Sequence, residues 1–301
     1  MSIASAITAA QGKVADCYTA ISNKGGTLPA TQNLSNMPTA IGSIPSGSSE
    51  LPSYQVSSGV ASRRSGALTG NEFSSITSIG DTGFYYAFAN CGQLTGSVVF
   101  SSLTSVGTSG LYSAFQNCQN ISGLVDLSSL TTVNDNGLRG AFSGCYRITG
   151  VDLSSLTSTN QQGFYQAFYF CSKLTSVDVS SLESIGGMGF YSAFYYCSAL
   201  TSVSFDALDT LTEQRCLEQA FRNCPSLQSL YFPSLTTSSF GQTYIDQFNN
   251  IFNSSTASTS GTCTIHFPSN VQSTISGLTG YPLFGGTSGR IVLAFDLTAT
   301  S

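Results

Sequence analysis

Residues 163–197, GFYQAFYFCSKLTSVDVSSLESIGGMGFYSAFYYC, open and close on the same phrase, and the distance between its two copies decides the fold. Outward from them the phrase returns as GFYYAFANC at 83–91, GLYSAFQNC at 110–118, GLRGAFSGC at 137–145 and CLEQAFRNC at 216–224. The cysteines that close these phrases, Cys91, Cys118, Cys145, Cys171, Cys197 and Cys224, are 27, 27, 26, 26 and 27 residues apart. A fixed period of this length marks a solenoid, in which each repeat buries its apolar face only by stacking on its neighbours.

Each unit has two halves. Between successive phenylalanines lie LTGSVVFSSL, VDLSSL ending at Leu130, VDLSSL ending at Leu156, VDVSSL ending at Leu182, VSFDAL and LYFPSL, which alternate apolar and polar residues as one short strand per repeat does. In the other half Phe190, Ala193, Phe194 and Cys197 fall at i, i+3, i+4 and i+7, the spacing of one face of a short helix. One coil is therefore expected to run strand, turn, helix, turn.

The repeating AFxxC segment followed by a Leu-x-x-Val-x-Leu/Phe strand resembles the BspA-like class of leucine-rich repeats, over roughly Phe73 to Phe252. The resemblance implies a right-handed α/β solenoid of six to eight coils with a parallel β-sheet on one face and short helices on the other. It also implies a role in surface adhesion and recognition. Flanking pieces complete the expected organisation: a helical segment over 1–44, a Ser/Pro/Gly linker over 45–59, repeats over 60–252, and a last strand and β cap over 253–301, where CTIHFPSNV and IVLAFDL carry strand alternation.

The first segment steps through Ile3, Ile7, Ala10, Val14, Cys17 and Ile21 as a heptad seam and stops at Gly25-Gly26. A helix that short must pack on something. A small helical hairpin through Leu34, Met37, Ile41 and Ile44, a homo-oligomeric stalk and a docking segment are all open. The string IASAITAAQGKVADCYTAISNKGGTLPATQNLSNMPTAIGSI resembles the amino-terminal segment of phage and prophage tail-associated proteins, which implies a tail partner and a virion location. The start has no basic stretch before an apolar core, so it does not read as a secretory signal. Either a signal was removed before this numbering begins, or the protein travels another way.

Charged residues make up 8% of the chain, against about a quarter in average soluble proteins. With a net charge of −5 and no basic cluster, a nucleic-acid partner is set aside. No run approaches the ~20 apolar residues of a membrane-spanning helix, so no insertion is expected. Of nine cysteines, six share the repeat column, where a buried thiol serves as a small hydrophobe. A disulfide needs particular Cβ geometry, and zinc ligands come in close CxxC pairs that this sequence lacks. Cys17, Cys216 and Cys263 fall outside the column and receive no role.

Candidate binding residues lie in columns. On the strand the outward column reads Val99, Asp126, Asp152, Asp178, Ser204, Tyr231 and His266. Three carboxylates on adjacent rungs repel one another, and a cation or a basic partner would relieve them. Alternatively they only keep an exposed strand hydrated. A second column holds Tyr85, Tyr112, Tyr165 and Tyr191, interrupted by Arg139 and Glu218, and two central repeats add Tyr169, Phe170, Tyr195 and Tyr196. Phe170 and Tyr196 stand where Asn would suit a left-handed cap. Tyrosines at such density suit a protein or glycan surface, or else pack between helices. The serine pairs after each strand satisfy turn backbone. His266 is the single histidine, and neither a metal-ligand motif nor a nucleophile with its base is present, so no cofactor and no enzyme are expected. Three readings remain: the host-contacting part of a phage tail binding a surface glycan or protein, a bacterial surface adhesin, and a structural spacer.

Overall fold

The computed structural model describes residues 68–69, 73–211, 213–239, 251–252, 262–277 and 291–298. The expected helix over 1–44 and linker over 45–59 lie outside them. What is described is a parallel β-solenoid of about seven turns. Coils 1 to 6 are named here by their phenylalanines Phe88, Phe115, Phe142, Phe168, Phe194 and Phe221.

Every strand pairing is parallel and joins neighbouring coils. One sheet stacks β1 (Leu68–Thr69), β3 (Leu94–Val99), β5 (Ile121–Asp126), β7 (Arg147–Asp152) and β9 (Ser176–Asp178). A second, absent from the sequence reading, stacks β2 (Ser78–Ile79), β4 (Ser105–Val106), β6 (Thr132–Val133), β8 (Ser158–Thr159) and β10 (Ser184–Ile185). A third holds β11 (Ser202–Ser204), β12 (Ser229–Tyr231), β13 (Cys263–Pro268) and β14 (Ile291–Leu297). Repeats one to four thus contribute a strand of three to six residues, a corner and a two-residue strand.

The short helices expected in the repeats are absent from the described residues. Among the described residues α-helix is confined to α1 (Gln272–Gly277). The Phe/Cys segment is instead a ribbon of consecutive β-turns. In coil 1, Tyr85, Ala87, Ala89 and Cys91 donate their N–H to the carbonyl three residues back, while Phe84, Tyr86, Phe88 and Asn90 donate to Gly110, Tyr112, Ala114 and Gln116 of coil 2. Alternate amides therefore close turns and stitch coils. A helix commits every interior amide to itself and needs ~8–10 Å from its neighbour, whereas strands on the other faces rise by ~4.8 Å per coil. The ribbon keeps the smaller step: rings of Phe115, Phe142, Phe168 and Phe194 stack with centroids 5.1, 5.5 and 5.8 Å apart.

The ribbon repeats every four residues, and every fourth residue takes positive φ, as Thr82, Tyr86 and Asn90 do at 54°, 53° and 60°. Over eight residues a period of four and one of 3.6 both put i, i+3, i+4 and i+7 on one side, which is why the apolar spacing reads as helical.

Phenylalanine and cysteine columns form the core. Cys91, Cys118, Cys145, Cys171 and Cys197 are fully buried, and Cys224 partly. Each thiol donates to the phenylalanine carbonyl one coil earlier: Cys118 to Phe88 at 2.9 Å, Cys145 to Phe115 at 3.0 Å, Cys171 to Phe142 and Cys197 to Phe168 at 3.3 Å, and Cys224 to Phe194 at 3.0 Å. A small apolar side chain with one weak donor suits that place better than alanine or serine. Burial pushes the Cys118 and Cys224 thiols up to about 12, and raises Cys145, Cys171 and Cys197 as well. Cys216 is buried too and donates to Ile185 O at 3.3 Å, so it has the structural role that the sequence left unassigned.

Candidate recognition surface

The aspartate column is in register, with Val99 opposite Asp126, then Asp152, then Asp178. One oxygen of each carboxylate is engaged by the turn that follows it. Asp126 Oδ1 accepts from the Ser128 amide at 3.1 Å and hydroxyl at 2.7 Å; Asp152 Oδ1 accepts from the Ser154 amide at 3.0 Å; Asp178 Oδ1 accepts from the Ser180 amide and hydroxyl at 3.0 and 2.7 Å. These carboxylates close the corner after each strand as Asx-turns. Among the described residues no group of three or more acidic, histidine or cysteine side chains is arranged to hold a metal ion.

Ser204, Tyr231 and His266 continue an outward column on the third sheet, which forms no ladder with the first. There the Tyr231 and His266 rings stack at 4.5 Å, and His266 Nδ1 lies 3.0 Å from both Asp296 oxygens. Asp296, on β14, went unnoticed in the sequence because 30 residues separate it from the histidine.

The tyrosines line the ribbon as ladders. Tyr85 stacks on Tyr112 at 5.0 Å and Tyr165 on Tyr191 at 4.7 Å. Arg139 does not interrupt this column as the sequence reading held. Its guanidinium carbon lies 5.5 Å from the Tyr112 ring centre and 4.3 Å from that of Tyr165, so a planar cation fills the third rung. Beyond Tyr191, Arg215 lies 5.3 Å over the ring and forks onto the buried Glu218 through Nε and Nη2. Burial first, then neighbouring charge, raises the Tyr191 hydroxyl above its ordinary range.

A second cluster is confined to coils 4 and 5. Tyr169 stacks on Tyr195 at 4.8 Å, Phe170 on Tyr196 at 4.5 Å, and Arg222 lies 5.2 Å over Tyr195. Phe170 is 42% exposed. Both Phe170 and Tyr196 occupy left-handed backbone, at φ 63° and 60°. In that column the other coils carry Asn90, Asn117, Gly144 and Asn223, residues that enter this region readily, whereas a bulky side chain costs ~1–2 kcal/mol there. Sequence spacing located eight of the ribbon's outward aromatics. It missed Tyr86, Arg215 and Arg222, whose places depend on the turn geometry.

A family model described as a BspA type leucine-rich repeat region matches in six copies, over residues 77–206, 113–251 and 166–277. The chain belongs to the BspA-type leucine-rich repeat family. Two crystal structures are similar to this BspA-type chain. A leucine-rich repeat protein from Bacteroides ovatus is 14% identical, with 73% of this chain and 84% of that one covered, at a TM-score of 0.25. A leucine-rich cell surface protein from Faecalibacterium prausnitzii is 16% identical, with 72% and 83% covered, at a TM-score of 0.23. No curated protein matches this BspA-type repeat chain.

Proposed function

We propose that the protein is a non-enzymatic recognition and adhesion module of a cell surface, which engages a protein or glycan through its turn ribbon. Membership of the BspA-type family supports an adhesion or protein-binding role. The observation that carries the choice of face is the pair Phe170 and Tyr196, bulky rings held at positive φ where asparagine serves the same turn in coils 1, 2 and 6. Backbone strain persists where function requires it, and aromatic side chains concentrate at interaction surfaces. Mounting on a phage tail, the expectation drawn from residues 1–44, has no support from any matched family or structure, so the cell-surface reading is preferred.

The test is adhesion of the purified protein to bacterial and host cells, beside the Phe170→Asn/Tyr196→Asn double variant. Wild-type binding that falls at least about tenfold in the variant supports the ribbon face. Equal binding by both would move recognition elsewhere, and no binding by the wild type would leave the spacer reading in its place.

A further inference from the structure

The aromatic cluster ends abruptly at coil 3, and what stands there identifies a ligand class. Columns that hold Tyr169 and Tyr195, or Phe170 and Tyr196, hold Ser143 and Gly144 in coil 3. Phe170 packs one side on Tyr196 and meets no ring from coil 3. The row reads Arg139, Gly140, Ser143, Gly144, with a wall of Tyr165, Tyr169 and Phe170 on one side and Tyr112, Gln116 and Asn117 on the other. The resulting trough is one rung wide, ~10 Å between the flanking coils.

Its polar groups are left open. Asn117 leans into the row, so that a Cβ on Gly144 would lie 2.3 Å from Asn117 Oδ1. The Asn117 amide nitrogen donates to Asn90 Oδ1 at 3.2 Å, and its own Oδ1 accepts from no described residue. At the far end Arg139 donates Nη1 to the neutral acceptors Asn136 and Gln162 and meets no carboxylate among the described residues. A cation without an acidic partner, in a chain of net charge −5, calls for an anionic group from outside.

We propose that the trough across coil 3 binds a carboxylated glycan. A pyranose ring takes the rung above Ser143 and lays its apolar face on Tyr169 and the near edge of Phe170, with the Asn117 carboxamide that fills the space over Gly144 as its opposite wall. Asn117 Oδ1 and the Ser143 hydroxyl meet sugar hydroxyls, and the sugar carboxylate pairs with Arg139. This rests on the recognition reading above and specifies the site and ligand for it.

The probe is a printed panel of uronate-containing, sialylated and neutral oligosaccharides, with hits titrated in solution. Ser143→Tyr is the deciding variant: its column already carries tyrosine in coils 4 and 5, so it extends the ladder without straining the backbone while it fills the trough. The expected result is binding to acidic spots over neutral ones, lost at least about tenfold in Ser143→Tyr with an unchanged thermal transition, and loss of the acid preference in Arg139→Gln. Binding unaffected by Ser143→Tyr overturns the site, and equal binding to neutral sugars overturns the carboxylate. If the panel stays blank while adhesion to cells persists, the partner is a protein surface; this inference then fails and the recognition reading stands. Loss of both sinks the two together.

Discussion

Alkaline pH should unfold this protein through its cysteine column. Cys118, Cys145, Cys171 and Cys197 are fully buried, and burial raises each thiol above the ordinary 9.0, to about 12 for Cys118. For a group whose folded pKa lies above its unfolded value, the stability contribution is complete below the unfolded pKa. It is lost as pH rises toward the folded one. Below pH ~8, a unit under the ordinary 9.0, these thiols are almost wholly protonated in both states and contribute almost no slope. At pH 10 the unfolded thiol gains about 1.4 kcal/mol from ionising, so the four together cost about 6 kcal/mol, within the ~5–15 kcal/mol that holds an average domain. Urea titrations under a reducing agent at pH 8 and pH 10 measure the loss, and Cys145→Ala isolates one thiol from the tyrosines that titrate beside it. The variant is the less stable at pH 8, because it leaves a cavity and a carbonyl without its thiol. The gap to wild type narrows by about 1.4 kcal/mol at pH 10. A gap that stays constant would mean that the Cys145 thiol ionises as readily folded as unfolded, and the buried column would be refuted.

Three other outcomes follow from the packing. Phe142→Ala, in the middle of the stacked column and fully buried, lowers stability by ~3–5 kcal/mol in urea titrations, while Phe170→Asn, which relieves a left-handed aromatic and loses three exposed ring contacts, lowers it by no more than ~2 kcal/mol. Gly186→Ala places a Cβ 2.6 Å from the Asn160 carbonyl carbon and lowers the melting temperature, whereas Gly92→Ala, with nothing within 4 Å, leaves it unchanged. Asp152→Ala removes the acceptor of the corner turn and costs ~1 kcal/mol, and added calcium leaves the melting temperature of the wild type unmoved.

The sequence made the strands legible because period two is distinctive and recurs: the Asp126, Asp152 and Asp178 column found by spacing is the register of β5, β7 and β9. It concealed the ribbon because Phe190, Ala193, Phe194 and Cys197 satisfy a four-residue period as well as a helical one. The better signal was polar. Asn90, Asn117, Gly144 and Asn223 in one column, and Gly140 in the column four residues before it, are residues that take positive φ readily, and all of them do. Two such columns four residues apart describe turns, because an interior helical residue does not adopt that φ. The aspartates carry a signal of the same kind: an Asp with Ser two residues on is an Asx-turn signature, which adds a turn-closing role to the hydration role open from the sequence.

Which face is free to recognise anything follows from where the outward groups are spent. On the strand side they are committed: the aspartates close corners, and Thr104, Thr131 and Thr157 each donate a hydroxyl to the threonine carbonyl one coil back, at 3.0, 3.0 and 3.3 Å. A substitution there removes a bond between coils. On the ribbon the coils are joined by alternate backbone amides, which no side chain replaces. The outward residues can therefore differ between coils without loosening the stack, and they do, from Gly140 and Gly144 in coil 3 to Tyr195 and Tyr196 in coil 5. Phe170 and Tyr196 enter four ring contacts at ~0.5–1.5 kcal/mol each, comparable with the ~2–4 that two left-handed aromatics cost, so the pair adds little net stability over asparagine in the same turns. What the rings add on the outside is an exposed apolar step, and the proposed recognition role rests on it.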